Sequence, residues 1–207
     1  MALDEIETSR GETSRAKLMK ASQEILASEG FKGMSTRAVA ERAGVALSLV
    51  HHHFGGKRGL LIAALDEDLA RVGRYQRLLE QATTLSEAWR ILIDESRRDM
   101  ASGTIRAEWE TFIVGLGDPE LSDRWQKVTA AWRELYTSVL ERLLPALDRE
   151  SPLPPSALAA ILVDFFLGAE AELLAAAASG SEAAPEELDL IDRIGQLIAQ
   201  FEAGEAR

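Results

Sequence analysis

The chain has no cysteine, which excludes disulfides and thiolate metal sites. It has six prolines in 207 residues, few enough to leave long helices unbroken, and its alanine and leucine content favours helix over sheet. No run of about 18 uncharged apolar residues occurs, so no segment reads as a membrane-spanning helix. Met1 to Ser9 holds the acids Asp4, Glu5 and Glu7 and no basic residue, so this stretch does not read as a secretory signal. A reducing cytoplasm is the expected compartment. Histidine occurs only at His51, His52 and His53. No GxSxG, HExxH or phosphate-cradling glycine loop is present, so neither an enzyme nor a cofactor is expected. The three histidines are not expected to bind metal, because neighbours on a helix project about 100° apart and cannot converge on one ion.

Charge is plentiful and unevenly placed. The net charge of −11 would repel nucleic acid if it were spread evenly. Residues 10–60, however, hold nine basic side chains against four acidic ones, a balance of +5. Residues 61–207 hold 14 basic and 27 acidic ones, or −13. A basic head on an acidic body points to an anionic polymer as the head's partner. Clustering on a solvated helix face is the plainer alternative.

Apolar periodicity predicts an all-α chain of about nine helices, three small ones first. A first helix is expected from Glu12 to Ser28, stopped by Gly30. Ser35 reads as N-cap of a helix over Thr36 to Ala43, with Gly44 at its end. A further short helix is expected from Ala46 to His53, closed by Phe54-Gly55-Gly56, and a longer one from Lys57 to about Gln81. Thr84 and Glu87 have capping-box spacing, and a helix should follow Gly103 to about Leu116. Asp118-Pro119 opens the longest segment, where Leu121, Trp125, Val128, Trp132, Leu135, Val139 and Leu143 recur every three or four residues. Pro152, Pro154 and Pro155 then break the chain, and Ser179 to Ala184 reads as a small-residue linker before a last helix with a Leu190, Ile194, Leu197, Phe201 stripe.

Ser35 to Lys57 carries the most information. Two short capped helices around Gly44-Val45 are the sequence form of a helix-turn-helix. Val39, Ala40, Val45 and Val50 would close them against the first helix, leaving Leu47, Ser48, Leu49, His51 and His52 on the outer surface. An exposed second helix can enter a DNA major groove and meet base edges.

The residues Ala21, Ile25, Gly30-Phe31, Ser35-x-Arg37-x-Val39-Ala40, Ala43-Gly44-Val45, Val50-x-x-His53-Phe54, Lys57 and Leu60-Leu61 resemble the N-terminal domain of the tetracycline-repressor (TetR) family of bacterial transcription regulators. Trp109 to Pro145 and Lys57-x-Gly59-Leu60-Leu61 are similar to the branch of that family containing the choline/glycine-betaine regulator. The resemblance implies a helix-turn-helix DNA-binding domain over residues 10–70 and a helical effector-binding and dimerisation domain over 71–207. It implies a homodimeric regulator, more often a repressor, on double-stranded palindromic operator DNA. Carried over residue by residue, Ser35, His51, His52 and Lys57 would touch phosphates, beside Arg37, and Leu47, Ser48 and Leu49 would face bases. Four positions depart from the family pattern. Ala46 stands where a serine or threonine usually caps the recognition helix, Leu49 where threonine is usual, and His51-His52 where an aromatic pair is common.

An unidentified small-molecule effector is the implied partner of the second domain. Trp89, Trp109, Phe112, Trp132, Tyr136 and Phe165, with the carboxylates Asp164 and Glu170, are the candidates to line its pocket. Each aromatic is equally explained as core. Four tryptophans on a body of −13 favour a cationic or ring-stacking effector over a carboxylate or phosphate. Two alternatives stay open: a regulator without an effector that acts through protein partners, and an all-α enzyme. The last two helices are too apolar to be lone surface helices. Ala159, Leu162, Val163, Phe166, Leu167 and Leu173 are expected to join the stripe ending at Phe201 in a two-fold four-helix bundle.

Overall fold

The computed structural model describes residues 2–147, 151–180 and 185–204, with side chains described for 13–147, 151–180 and 190–204. These residues form nine α-helices and no strand. In order they are α1 (Ala2–Gly33), α2 (Thr36–Ala43), α3 (Leu47–Phe54), α4 (Lys57–Leu79), α5 (Leu85–Ala101), α6 (Thr104–Gly115), α7 (Pro119–Leu143), α8 (Pro155–Ser179) and α9 (Pro185–Ala203). A single 3₁₀ turn, Leu144–Ala146, follows α7. The linker expected over Ser179 to Ala184 lies outside the described residues from 181 onward.

The helix α1 starts ten residues earlier than expected. One glycine at Gly11 weakens a helix without stopping it. Gly30 does stop it. Its φ of 69° and ψ of −175° lie in a region open essentially to glycine alone, and one further turn runs to Gly33. The caps of α2 form as the sequence demands. Ser35 Oγ accepts the Ala38 N–H at 3.0 Å. Gly44 sits at φ 66°, and the Gly44 and Val45 N–H groups return to the Glu41 and Ala40 carbonyls at 3.2 and 3.1 Å. At the start of α5 the Glu87 N–H donates to Thr84 Oγ1 at 3.1 Å, while the Glu87 carboxylate accepts the N–H of Thr83 at 2.8 Å.

The described helices divide into two compact units. One comprises the chain up to Asp68 together with Asp99–Gln126, the other Leu69–Arg98 together with the chain from Lys127 onward. In the first, Leu18, Ile25, Leu26, Val39, Val50, Leu60 and Leu65 are sealed from solvent, each worth roughly 1.5–3 kcal/mol of burial. Eight-residue helices such as α2 and α3 are marginal alone, so this shared core is what holds them.

In the second unit, Val72, Tyr75, Leu79, Leu92, Leu135, Val139, Leu140, Ala159 and Val163 form the core. Arg142 donates to the Leu79 and Ala82 carbonyls at 2.7 and 2.5 Å, satisfying groups that the end of α4 leaves open. The α8 face expected to meet a partner is partly spent at home. Ala159 and Val163 are buried in this core, and Leu162, Phe166 and Leu167 pack on it. Because apolar residues on α8 are not confined to one face, it still leaves Ile161 exposed, as α9 leaves Leu190 and Leu197.

Candidate nucleic-acid interface

The helix α3 is presented outward by the helices beneath it. Val50 is fully buried, and Val45 and Phe54 pack on the same core. The opposite surface carries Leu47, Ser48, His51 and His52, all exposed. Ser35 and Arg37 are exposed at the start of α2. Six of the eight expected DNA-facing residues therefore lie on the surface of one helix-turn-helix. Ala46 caps α3 with no side-chain hydrogen bond, so a backbone donor at the tip of α3 is left for solvent or an anion.

Leu49 and Lys57 depart from expectation. Leu49 is half-buried and packs on the head core, because it flanks Val50 on the buried stripe. The Lys57 ammonium donates to the Phe31 carbonyl at 3.1 Å and sits 3.4 Å over the Phe31 ring. Burial lowers its pKa from the ordinary lysine value. Lys57 thus ties the start of α4 to the end of α1, a role that needs no phosphate. Replacing Lys57 by alanine should cost about 1–2 kcal/mol of stability and leave the salt dependence of DNA binding unchanged. A salt slope shallower by about one counterion, at unchanged stability, would return Lys57 to the phosphate contacts.

Other basic groups of the head are also engaged. Arg37 pairs with Glu41 at 2.9 Å and Arg42 with Glu29 at 2.6 Å; both pairs are exposed and contribute little to stability. Arg58 is clamped by Asp118 at 2.6 and 2.9 Å and by Glu120 at 2.8 Å. Bonded to that guanidinium, and accepting the backbone N–H groups of Leu121 and Glu120, the Asp118 carboxyl is pulled down to about 2. The Phe31 N–H donates to the Glu110 carboxylate at 2.9 Å, a bond that joins α1 to α6.

His53 faces inward. Its Nε2 is shut off from solvent with no hydrogen-bond partner, and its ring meets the edges of His52 and Phe54 at 4.9 and 6.2 Å. Burial first, then the neighbouring His52 and Arg15, lower its pKa from the ordinary value. Below about pH 6.5 the unfolded chain takes up a proton that the folded head resists, so stability falls as pH falls. The melting temperature should therefore drop as pH falls below about 6.5, and His53→Gln should flatten that slope. An equal slope in the variant would assign it to other groups.

The expected effector residues separate into two sets. Trp109 and Phe112 lie in the first unit, edge to face at 5.6 Å, with Phe112 also 4.5 Å from Trp125. In the second unit Trp89 lies 6.3 Å from Phe165 and 5.9 Å from Phe166, while Trp132 meets Tyr136 at 5.6 Å and Tyr136 meets Phe166 at 6.1 Å. Gly195 packs against Trp89, where a Cβ would stand 3.0 Å from the indole Nε1. Glu170 is half-buried. The Asp164 side chain is 72% exposed, 3.9 Å from Arg133. Sequence reasoning passed over two residues of this cluster. Tyr75 stands edge-on to Trp132 at 4.8 Å, and the buried Arg71 guanidinium lies 5.7 Å from the same ring. Their i, i+4 spacing puts Arg71 and Tyr75 on one face of α4, which carries no signal of Trp132 on α7.

A capped helix-turn-helix with a polar outward helix, in a chain whose described residues form helices and no strand, defines a DNA-binding transcription regulator. Residues 18–64 match the family described as "Bacterial regulatory proteins, tetR family". The chain is 30% identical over 139 residues to the HTH-type transcriptional regulator BetI 1 of Chromohalobacter salexigens, a match covering 65% of this chain and 67% of that one. It is 34% identical over 103 residues to the HTH-type transcriptional regulator BetI of Brucella canis, covering 48% of this chain and spanning about half, 52%, of that relative. Among solved structures, a TetR-family transcriptional regulator from Rhodococcus sp. superposes with a TM-score of 0.72 at 21% identity, over 89% of this chain and 98% of that one. The chain belongs to the TetR family of transcription regulators, which is a family of DNA-binding proteins and not of enzymes. Among the described residues, no helix is long and apolar enough to cross a membrane.

Proposed function

We propose that this protein acts in the cytoplasm as a homodimeric repressor of a palindromic operator, released when a small-molecule effector binds its C-terminal domain. The observation that carries this reading is the outer face of α3, with Leu47, Ser48, His51 and His52 exposed together on a helix whose other side is locked into the head core. Residues 10–70 act as the DNA-binding domain and 71–207 as the effector-binding and dimerisation domain. Ser48 reads base edges, Leu47 offers an apolar contact to a thymine methyl, and His51, His52, Ser35 and Arg37 hold the flanking phosphates.

The effector is a neutral, ring-bearing molecule held among the aromatics of the second unit. Two of the groups expected to hold a cation are less suited to it: the Arg71 guanidinium already lies by Trp132, and Asp164 points to solvent beside Arg133. Selection of binding sites from random duplex DNA by the full-length protein should return an inverted repeat. Ser48→Ala should then change the preferred bases within each half-site. Uniform weakening across all sequences would remove Ser48 from the base-reading surface, and a selected site without inverted symmetry would overturn the dimeric operator.

A further inference from the structure

Most described basic residues of the head already have partners. Lys20, Arg37, Arg42 and Arg58 pair with Glu24, Glu41, Glu29 and Asp118, and Lys57 is turned onto Phe31. Arg15 on α1 is different. It is exposed and has no ion pair to a described carboxylate. Its guanidinium carbon lies 5.4 Å from the centre of the Phe54 ring, at the last residue of α3. We propose that Arg15 binds a DNA backbone phosphate beside the end of the recognition helix. The proposal rests on the DNA-binding class established above, and on neither the operator, the dimer nor the effector. It adds α1 to a DNA-facing surface that otherwise draws on α2 and α3 alone.

The register of α1 brings Arg15 to this place. Met19, one turn further along the same face, is 4% exposed and buried with Ala63 and Ala64 of α4, where Phe54 packs on them. The seam between α1 and the α3–α4 corner thus reaches the surface at Arg15. A row of rings leads from there back to the outer face of α3. Arg15 lies over Phe54, Phe54 meets His53 at 6.2 Å, and His53 meets the exposed His52 at 4.9 Å. A helix seated in the major groove has a phosphate backbone along each wall, so a cation flanking its end meets phosphates and not base edges.

The chemistry suits that partner. Stacking on Phe54 occupies one face of the guanidinium plane and leaves free the N–H edges that make paired bonds to phosphate oxygens. The ring also restrains a long side chain before DNA arrives, which lowers the entropy cost of the contact. The charge of Arg15 is felt next door: after burial and His52, it is the third cause that lowers the His53 pKa. A phosphate on Arg15 would offset that repulsion. The competing account is structural, with Arg15 merely stacked on Phe54 near the negative end of α3.

The test is the salt dependence with which the full-length protein binds duplex DNA of random sequence, where phosphate contacts supply essentially all of the affinity. Arg15→Gln should weaken binding about fivefold or more at ~50 mM salt, and should make the slope of log K against log salt shallower by about 0.9 per bound head. Arg15→Lys keeps the charge without the planar fork, and should restore the slope with only part of the affinity. Lys17→Gln is the control. Lys17 is also exposed on α1 but points about 200° round the helix from Arg15, and its loss should leave the slope unchanged. Arg15 is exposed, so these changes leave the head core intact. An unchanged slope in Arg15→Gln overturns the proposal, and a lowered melting temperature in the same variant then assigns Arg15 to stacking on Phe54. Equal flattening by Arg15→Gln and Lys17→Gln also overturns it, because the effect would belong to the charge of the head as a whole.

Discussion

Replacing Gly59 by alanine should lower the melting temperature by roughly 6–12 °C and abolish operator binding. The chain leaves α3 at Phe54, passes through Gly55 at φ 70° and Gly56 at φ 132°, and enters α4 at Lys57. This corner is so tight that a Cβ on Gly59 would stand 1.6 Å from the Phe54 carbonyl oxygen and 2.7 Å from its carbon. Both atoms are backbone, so no rotamer change relieves the clash. Either α3 or α4 must move. Overpacking a core costs about 1–3 kcal/mol; a clash with backbone belongs at the upper end, which converts to the stated shift at about 2–4 °C per kcal/mol. Moving α3 displaces the surface that carries Ser48 and His52, so DNA binding should fail together with stability. Gly73→Ala is the control on the same helix. Its nearest neighbour is an Arg77 guanidinium nitrogen at 3.8 Å, and alanine there should stabilise by about 0.5–1 kcal/mol. Equal melting temperatures for Gly59→Ala and the unchanged protein would show that the corner yields freely.

What could be read in the sequence follows from how local the deciding physics is. The bounds of α2, and those of α3 to within a residue, were legible because single residues set them: Ser35 supplies a cap oxygen, and Gly44 and Gly55 adopt left-handed backbone. The α7 stripe was legible because it has one wet side, so its buried members recur at helical spacing. The Lys57 contact with Phe31 was not legible, for a non-local reason. Phe31 lies 26 residues earlier, and no spacing rule reports a lysine that folds back onto a carbonyl and a ring. The Arg71–Trp132 contact was equally invisible, joining residues on α4 and α7. Leu49 failed on a finer point. A helix of eight residues has a buried stripe one residue wide plus two flanks, and sequence alone does not say which flank is covered. Where apolar residues spread around most of a helix, as on α8, periodicity falls silent about which face turns inward, and only the packed core reveals that Ala159 and Val163 do.

The remainder of that apolar surface leads to the second large effect. Substituting both Ile161 and Leu197 by glutamate should convert the protein from dimer to monomer and weaken palindrome binding by about 10²–10⁴-fold. Ile161 on α8 is 54% exposed, and Leu190 and Leu197 on α9 are 47% and 60% exposed. Leu190 and Leu197 are seven residues apart, two turns on one face of α9. Apolar side chains this large on adjacent-in-sequence helices, with Ile194 and Phe201 half-buried between and beyond them, fit a surface completed by a second copy through two-fold symmetry. The loss in affinity follows from valency. Two linked heads bind a palindrome with the second contact made at high effective concentration, and a monomer forfeits that contact while each head keeps its own. Binding of a single half-site should therefore be unchanged in the double variant, which also reports that its head is folded. Sedimentation should give a dimer for the unchanged protein at micromolar concentration and a monomer for the variant. A variant that stays dimeric, or that holds the full palindrome as tightly as before, would place the interface on some other surface of the chain.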